Sequence, residues 1–183
     1  MLGLSARSGL GGRAARLTLA LLLLMEAGCA STPVQHPPAD PCLAVLAGLP
    51  DVTGRYVDVA AWRGRVVVVQ FIATWCFPCV ATAPELQKLE KRYGARGLSV
   101  VGVGMDREGA QVLVPFHEQL GLDYPLLVSD SSLREGNSAF GRITTLPTTV
   151  IIGRDGTVLA AFKGVATEAS LDAFLEEALG RKP

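Results

Sequence analysis

The chain has 183 residues, 49% hydrophobic and 19% charged, a globular composition of a size for one domain plus an appendage. Lys+Arg and Asp+Glu both number 17, so there is no basic excess for a phosphate backbone, and nucleic acid is not expected as a partner. The four cysteines, Cys29, Cys42, Cys76 and Cys79, are informative by position: one ends an apolar segment, one lies in a Pro-rich stretch, and two form a tight pair.

Residues 1–29 read as an export signal. Arg7, Arg13 and Arg16 form a positive leader, and Leu17 to Met25 is an apolar run of signal-peptide length, too short to cross a bilayer comfortably. The segment closes on Ala27-Gly28-Cys29, which resembles a bacterial lipobox, although Glu26 stands where that motif usually has an aliphatic residue. The resemblance implies that Cys29 receives a lipid anchor. The alternative is plain secretion, with cleavage near Ala27 or Ala30.

Residues 30–48 read as a tether, because Pro33, Pro37, Pro38 and Pro41 interrupt both helix and strand. A folded domain is expected over 49–183. Val52 to Val59 suggests a short hairpin about Gly54, and Val66 to Ile72 is a β-branched run typical of a strand buried on both faces. Cys76 to Tyr93 reads as a helix, Leu98 to Met105 as a second buried strand, and Gln111 to Leu120 as a helix. Tyr124 to Val128 reads as a strand and Leu133 to Phe140 as a helix. Thr148 to Ile152 and Val158 to Phe162 are two strands joined by Arg154-Asp155-Gly156, a hairpin turn signal. Ser170 is the expected cap of a last helix, with Gly180 as its stop. Alternating strands and helices predict a central sheet with helices on both faces. The closing hairpin and helix set the pattern apart from a doubly wound nucleotide binder. The Gly-rich phosphate loop of such binders is also missing after the first strand, where Ala73-Thr74-Trp75-Cys76 stands.

Cys76 and Cys79 are the candidate catalytic residues. At the start of a helix, the first sulfur lies where unpaired N–H groups and the positive dipole end favour a thiolate, the reactive form. Two intervening residues bring the second sulfur within bonding reach, so it can resolve a mixed disulfide. Pro78 falls in the first helical turn, where its missing N–H costs little. Trp75 and Phe77 flank the pair, and Trp75 offers a partner a flat apolar surface. A zinc site would need two more ligands, and Cys29, Cys42, His36 and His117 do not supply them at ligand spacing. No metal or other cofactor is expected. A purely structural disulfide is the other alternative.

Arg63-Gly64-Arg65, the Val66–Ile72 strand, Ala73-Thr74-Trp75-Cys76-Phe77-Pro78-Cys79, Leu146-Pro147-Thr148-Thr149 and Gly164 together resemble the TlpA/ResA-type branch of the thioredoxin superfamily. The resemblance covers roughly residues 49–180. It implies an α/β, thioredoxin-like fold: a central mixed sheet flanked by helices, with a TlpA-type insert at about 106–140. It also implies an extracytoplasmic, membrane-attached thiol–disulfide oxidoreductase acting on protein substrates, with a membrane electron donor as a further partner. By the same resemblance Pro147 is cis and lies against the cysteine pair, and Leu146 offers its backbone to the substrate.

Two positions depart from the family. Gln70 stands where thioredoxins bury an acid, and Thr82 stands where the ResA-like branch often has Glu. Glu85, about 240° round the helix from Cys79 at about 100° per residue, reads as a poor substitute. A peroxiredoxin-like peroxidase is an alternative, but its Pro-x-x-x-Thr-x-x-Cys frame finds Val69 and Ala73 at the two defining positions. A second alternative is a non-catalytic lipoprotein that uses the fold for docking.

Overall fold

The computed structural model describes residues 40–180. The expected export signal, the expected lipidation site Cys29 and most of the expected tether lie outside them.

Five strands form one mixed sheet in the order β3-β2-β1-β4-β5: β1 Val66–Ile72, β2 Leu98–Gly104, β3 Leu126–Val128, β4 Thr148–Ile152 and β5 Val158–Lys163. β1 pairs in parallel with β2, and β2 with β3; β4 runs antiparallel to both β1 and β5. Among the described residues the α-helices are α1 Pro41–Ala47, α2 Phe77–Tyr93, α3 Ala110–Leu120, α4 Ser131–Glu135 and α5 Glu168–Gly180. This is the mixed, helix-flanked sheet of a thioredoxin-like fold. The interval 106–140 contains α3, β3 and α4.

Every residue of β1 and β2 is buried, because helices cover both faces of the sheet. Alternation along β1 divides the core in two. Val66 and Val68 pack with Leu86 and Leu89 of α2 and Leu171 and Leu175 of α5. Val67, Val69 and Phe71 point the other way, toward Leu46, Trp62 and Leu133. A third cluster, at the end of β1, joins Ile72 and Ala73 to Cys76, Cys79, Leu113 and Phe116.

The domain boundary expected near residue 48 falls earlier. Asp40 caps α1, its Oδ1 accepting from the backbone N–H of Cys42 at 2.7 Å and Leu43 at 3.0 Å. Pro41 breaks nothing there, because the first turn of a helix leaves its N–H groups without intrahelical partners in any case. Cys42, Leu46 and Leu49 are buried in the core. The chain then runs along the outer edge of β3, with Val52 N donating to Leu126 O at 2.9 Å and Val128 N to Pro50 O at 2.8 Å. The edge of the sheet is thereby partly covered. The hairpin expected at 52–59 reduces to a tight turn closed by a Pro50–Tyr56 bridge, followed by a 3₁₀ turn at Val59–Trp62.

Three other boundaries shift. The strand expected from Tyr124 begins at Leu126, and the Tyr124 hydroxyl donates instead to Ala83 O at 3.1 Å. The helix expected over 133–140 is Ser131–Glu135, stopped by Gly136 at φ +83; a Cβ there would meet Arg142 Cα at 2.9 Å. Thr167, not Ser170, caps the last helix: its Oγ1 accepts from Ser170 N at 3.2 Å, and Gly180 is the helix's final residue.

Candidate active site

The end of β1 and the start of α2 present the cysteine pair. Cys76 is the N-cap of α2; its backbone N donates to Ala73 O at 3.0 Å, and its carbonyl accepts from Cys79 N at 2.9 Å. Phe77 and Pro78 fill the first helical turn. Cys76 and Cys79 are joined as a disulfide, their Cα atoms 5.2 Å apart. The two sulfurs differ in setting: Cys76 is 5% exposed at the helix start, whereas Cys79 is completely buried one turn in. A nucleophile at the N-cap faces the free N–H groups of the first turn, so the arrangement favours a thiolate at Cys76 once the bond is reduced.

Trp75 and Phe77, 73% and 85% exposed, stand on either side of Cys76. Large aromatic side chains left this open around a reactive group make an apolar landing surface. Across from them, the Leu146–Pro147 peptide bond is cis. Leu146 packs against the cluster that contains both cysteines. The loop is tied down by the Thr148 hydroxyl, which donates to Thr145 O at 2.7 Å, and by Gly164 N, which donates to Pro147 O at 2.8 Å. The fold thus brings Trp75, Phe77, Pro78, Leu146 and Pro147 to one end of the sheet with the cysteine pair. Cys42 is elsewhere: it is buried under α1 as a free thiol, its pKa raised by burial and by the nearby Asp40 carboxylate.

Gln70 and Thr82, read separately from the sequence, are joined in the structure. Gln70 Nε2 donates to Thr82 Oγ1 at 3.2 Å, and Thr82 Oγ1 in turn donates to Cys79 O at 3.4 Å. Gln70 is 2% exposed, and its Oε1 has no hydrogen-bond partner among the described residues. These two residues are neutral hydrogen-bonding groups, so they place no carboxylate beside Cys79.

One residue at this end escaped the sequence reading. Asp106, just beyond β2, is 2% exposed. Its carboxylate accepts from the Thr74 hydroxyl at 2.6 Å and from Thr74 N at 3.1 and 3.2 Å. It therefore holds the loop that leads into Trp75 and Cys76. The available signal was an acid directly after a fully buried parallel strand, at the carboxyl end of the sheet where sites collect in α/β folds. Among the described residues no group of three or more His, Cys, Asp or Glu stands ready to hold a metal ion.

A strand–helix junction carrying an oxidised Cys-x-x-Cys pair against a cis-proline loop defines a thioredoxin-fold thiol–disulfide oxidoreductase. The chain belongs to the Redoxin family, whose model matches residues 37–175. Its relatives include the thiol-disulfide oxidoreductase ResA of Halalkalibacterium halodurans, 29% identical over 128 residues, covering 70% of each chain. The ResA of Bacillus anthracis is 27% identical over 127 residues, covering 69% of this chain and 71% of that one. Among solved structures, a thiol:disulfide interchange protein of the thioredoxin family from Chlorobium tepidum is 28% identical. It aligns with a TM-score of 0.62 over 72% of this chain and 91% of that one. A thiol-disulfide isomerase from Corynebacterium glutamicum shares the fold with a TM-score of 0.62 at 19% identity, over 73% of this chain and 95% of that one.

Proposed function

We propose that the protein is a reductase of disulfides in exported proteins, with Cys76 as the attacking thiol and Cys79 as the resolving one. The observation that carries the reading is the asymmetry of the pair: Cys76 at the open start of α2 between exposed Trp75 and Phe77, Cys79 wholly buried behind it. In the reduced enzyme the Cys76 thiolate attacks a substrate disulfide. A Cys76–substrate bond forms, and the other substrate sulfur leaves as a thiolate and takes a proton. Cys79 then loses its proton and attacks Cys76 Sγ, forming the Cys76–Cys79 bond and releasing the second substrate thiol. Substrate is reduced by two electrons and the pair is oxidised. A membrane electron donor then reduces the pair again.

Leu146 and Pro147 form the edge along which the substrate backbone lies, and Trp75, Phe77 and Pro78 bear on its side chains. The signal-like segment at 1–29 and the resemblance to extracytoplasmic reductases support a site of action on the periplasmic side of the envelope. Cys29 is the proposed lipid anchor.

Turnover of a protein disulfide such as insulin tests the assignment. Cys76→Ser abolishes turnover, and Cys79→Ser accumulates a mixed disulfide visible on a non-reducing gel. Unaltered turnover in Cys76→Ser removes the proposal, and so does equal alkylation of the two thiols in the reduced protein. For the anchor, Cys29→Ser moves the protein from membranes to the soluble fraction; an unmodified mature N-terminus in mass spectrometry refutes lipidation.

A further inference from the structure

A pocket of about 320 Å³ opens on the α2–α5 side of the sheet, lined by Gln70, Thr82, Glu85, Thr149, Val165 and Glu168 among others. Its lining mixes apolar side chains with the polar Gln70, Thr82 and Thr149, and its link to the cysteine pair runs through Thr82. Gln70 is buried and its Oε1 has no donor among the described residues, while its Nε2 is engaged with Thr82. Thr82 is in turn bonded to the carbonyl of Cys79. An acceptor this deeply buried calls for a donor, since an unmet one costs about 1–3 kcal/mol. The pocket has ample room for water, one molecule of which needs only roughly 10–15 Å³.

Thr82 lies about 60° round α2 from Cys79, and Glu85 a further 60° in the same sense. Thr82 thus lies between Cys79 and Glu85 round the helix, and Glu85 reaches the pocket that Thr82 and Gln70 line. Its carboxylate accepts from Lys88 Nζ at 2.8 Å on the exposed face of α2. The other charged group on the pocket wall is Glu168, at the start of α5, which is engaged by Arg92 at 3.1 Å.

Building on the proposed roles of the two cysteines, we infer that this pocket holds water bound to Gln70 Oε1, and that this water carries the Cys79 proton to Glu85. Cys79 has no solvent-exposed surface, and its thiol must be deprotonated to attack. The Sγ–H proton passes to water, and water passes a proton to the Glu85 carboxylate. The electron pair left on Cys79 Sγ forms the bond to Cys76 Sγ, and the partner sulfur departs with the electrons of the broken disulfide. Glu85 then releases the proton to solvent at the pocket mouth. A base supplied from this side of α2 serves where Gln70 and Thr82 are neutral.

The test uses the reduced full-length protein and dithiobis(nitrobenzoic acid), whose coloured thiolate is released once by Cys76 attack and again on resolution by Cys79. Stopped flow separates the two phases. Positioned bases contribute about 10²–10⁴-fold, and Glu85→Gln slows the second phase by roughly tenfold or more while leaving the first intact. Gln70→Leu, which withdraws the water's anchor, slows the same phase. Lys88→Met, which breaks the surface ion pair but keeps the carboxylate, leaves a fast second phase. An unchanged second phase in Glu85→Gln, or equal slowing of both phases, overturns the inference. Absence of the first phase in the wild type would instead overturn the proposed role of Cys76.

Discussion

The Asp106 carboxylate is anchored to Thr74 by the hydroxyl and the backbone N–H together, at 2.6 and 3.1 Å, across 32 residues of chain. This relationship ties the end of β2 to the loop that delivers Cys76. β1 and β2 are already in register, Ile72 opposite Gly104, and Met105 N donates to Ile72 O at 2.8 Å. Asp106 extends that pairing past the end of the strands, where no ladder remains to fix the loop.

Asp106→Ala is therefore expected to lower the stability of the oxidised protein by about 1–3 kcal/mol, the cost of stranding buried hydrogen-bonding groups. It should also slow insulin reduction, because Trp75 and Cys76 lose their anchored approach. Asp106→Asn keeps an acceptor for the Thr74 hydroxyl and should fall between the two. Urea denaturation and initial rates check the order; wild-type behaviour in Asp106→Ala would show that the loop holds itself.

α1 yields a second expectation. Leu46 has no exposed surface and packs in the cluster of Trp62, Val67 and Val69. Leu46→Ala should cost about 2–5 kcal/mol by removing buried methyl groups and leaving a cavity. A tether residue would cost almost nothing, so a denaturation midpoint that does not move would return this stretch to the linker.

The two cases mark where the sequence was readable. Val66–Ile72 declared itself because a strand buried at seven consecutive positions is nearly all apolar, Gln70 being its one polar residue, and Cys76 to Cys79 did so because their spacing and helix-start position are a local signature. The cis bond before Pro147 and the closeness of that loop to the cysteines came only through family resemblance. α1 was hidden because the same Pro41 that starts a helix also marks a linker; what decides is whether Leu46 and Leu49 find a core. Asp106 and Thr74 are 32 residues apart, and no local pattern pairs them. Glu85 lies on the same pocket as Gln70 and Thr82, a grouping across β1 and α2 that an angle measured along one helix does not show.

Cys42 provides a third expectation, concerning reactivity. It is 6% exposed, and burial first, then the Asp40 carboxylate, push its thiol pKa above the ordinary cysteine value. Thiolate is the alkylating form, so native Cys42 should react with iodoacetamide far more slowly than Cys76 in the reduced protein. Peptide mapping by mass spectrometry should find Cys42 labelled only after denaturation. Rapid labelling in the native state would mean that α1 opens readily from the domain.

The last expectation concerns acid. α5 is fastened to α2 and the turn after it through charged groups on the surface. Asp172 accepts from the Tyr93 hydroxyl at 2.7 Å and from Arg92 at 2.6 Å, and its pKa is lowered by the Tyr93 bond first and by Arg92 as well. Glu176 takes two bonds from Arg96, each 2.8 Å, which lower its pKa. An acid whose folded pKa is depressed stabilises the fold above its unfolded value, about 3.9 for Asp and about 4.3 for Glu. That contribution is lost as pH falls through the lower folded value. Glu90 acts in the opposite sense: burial raises its pKa, despite the N–H of Val100 at 2.9 Å, so its contribution declines as pH rises. The thermal midpoint should therefore drop as pH is taken from about 5 toward 3, a window set by the unfolded carboxylates. Because these pairs are exposed, added salt should shrink the drop. Arg96→Gln should flatten the acid limb by removing the partner that depresses Glu176. Midpoints measured by circular dichroism at low and high salt decide the matter; an acid limb unchanged in Arg96→Gln would place the sensitivity in other carboxylates.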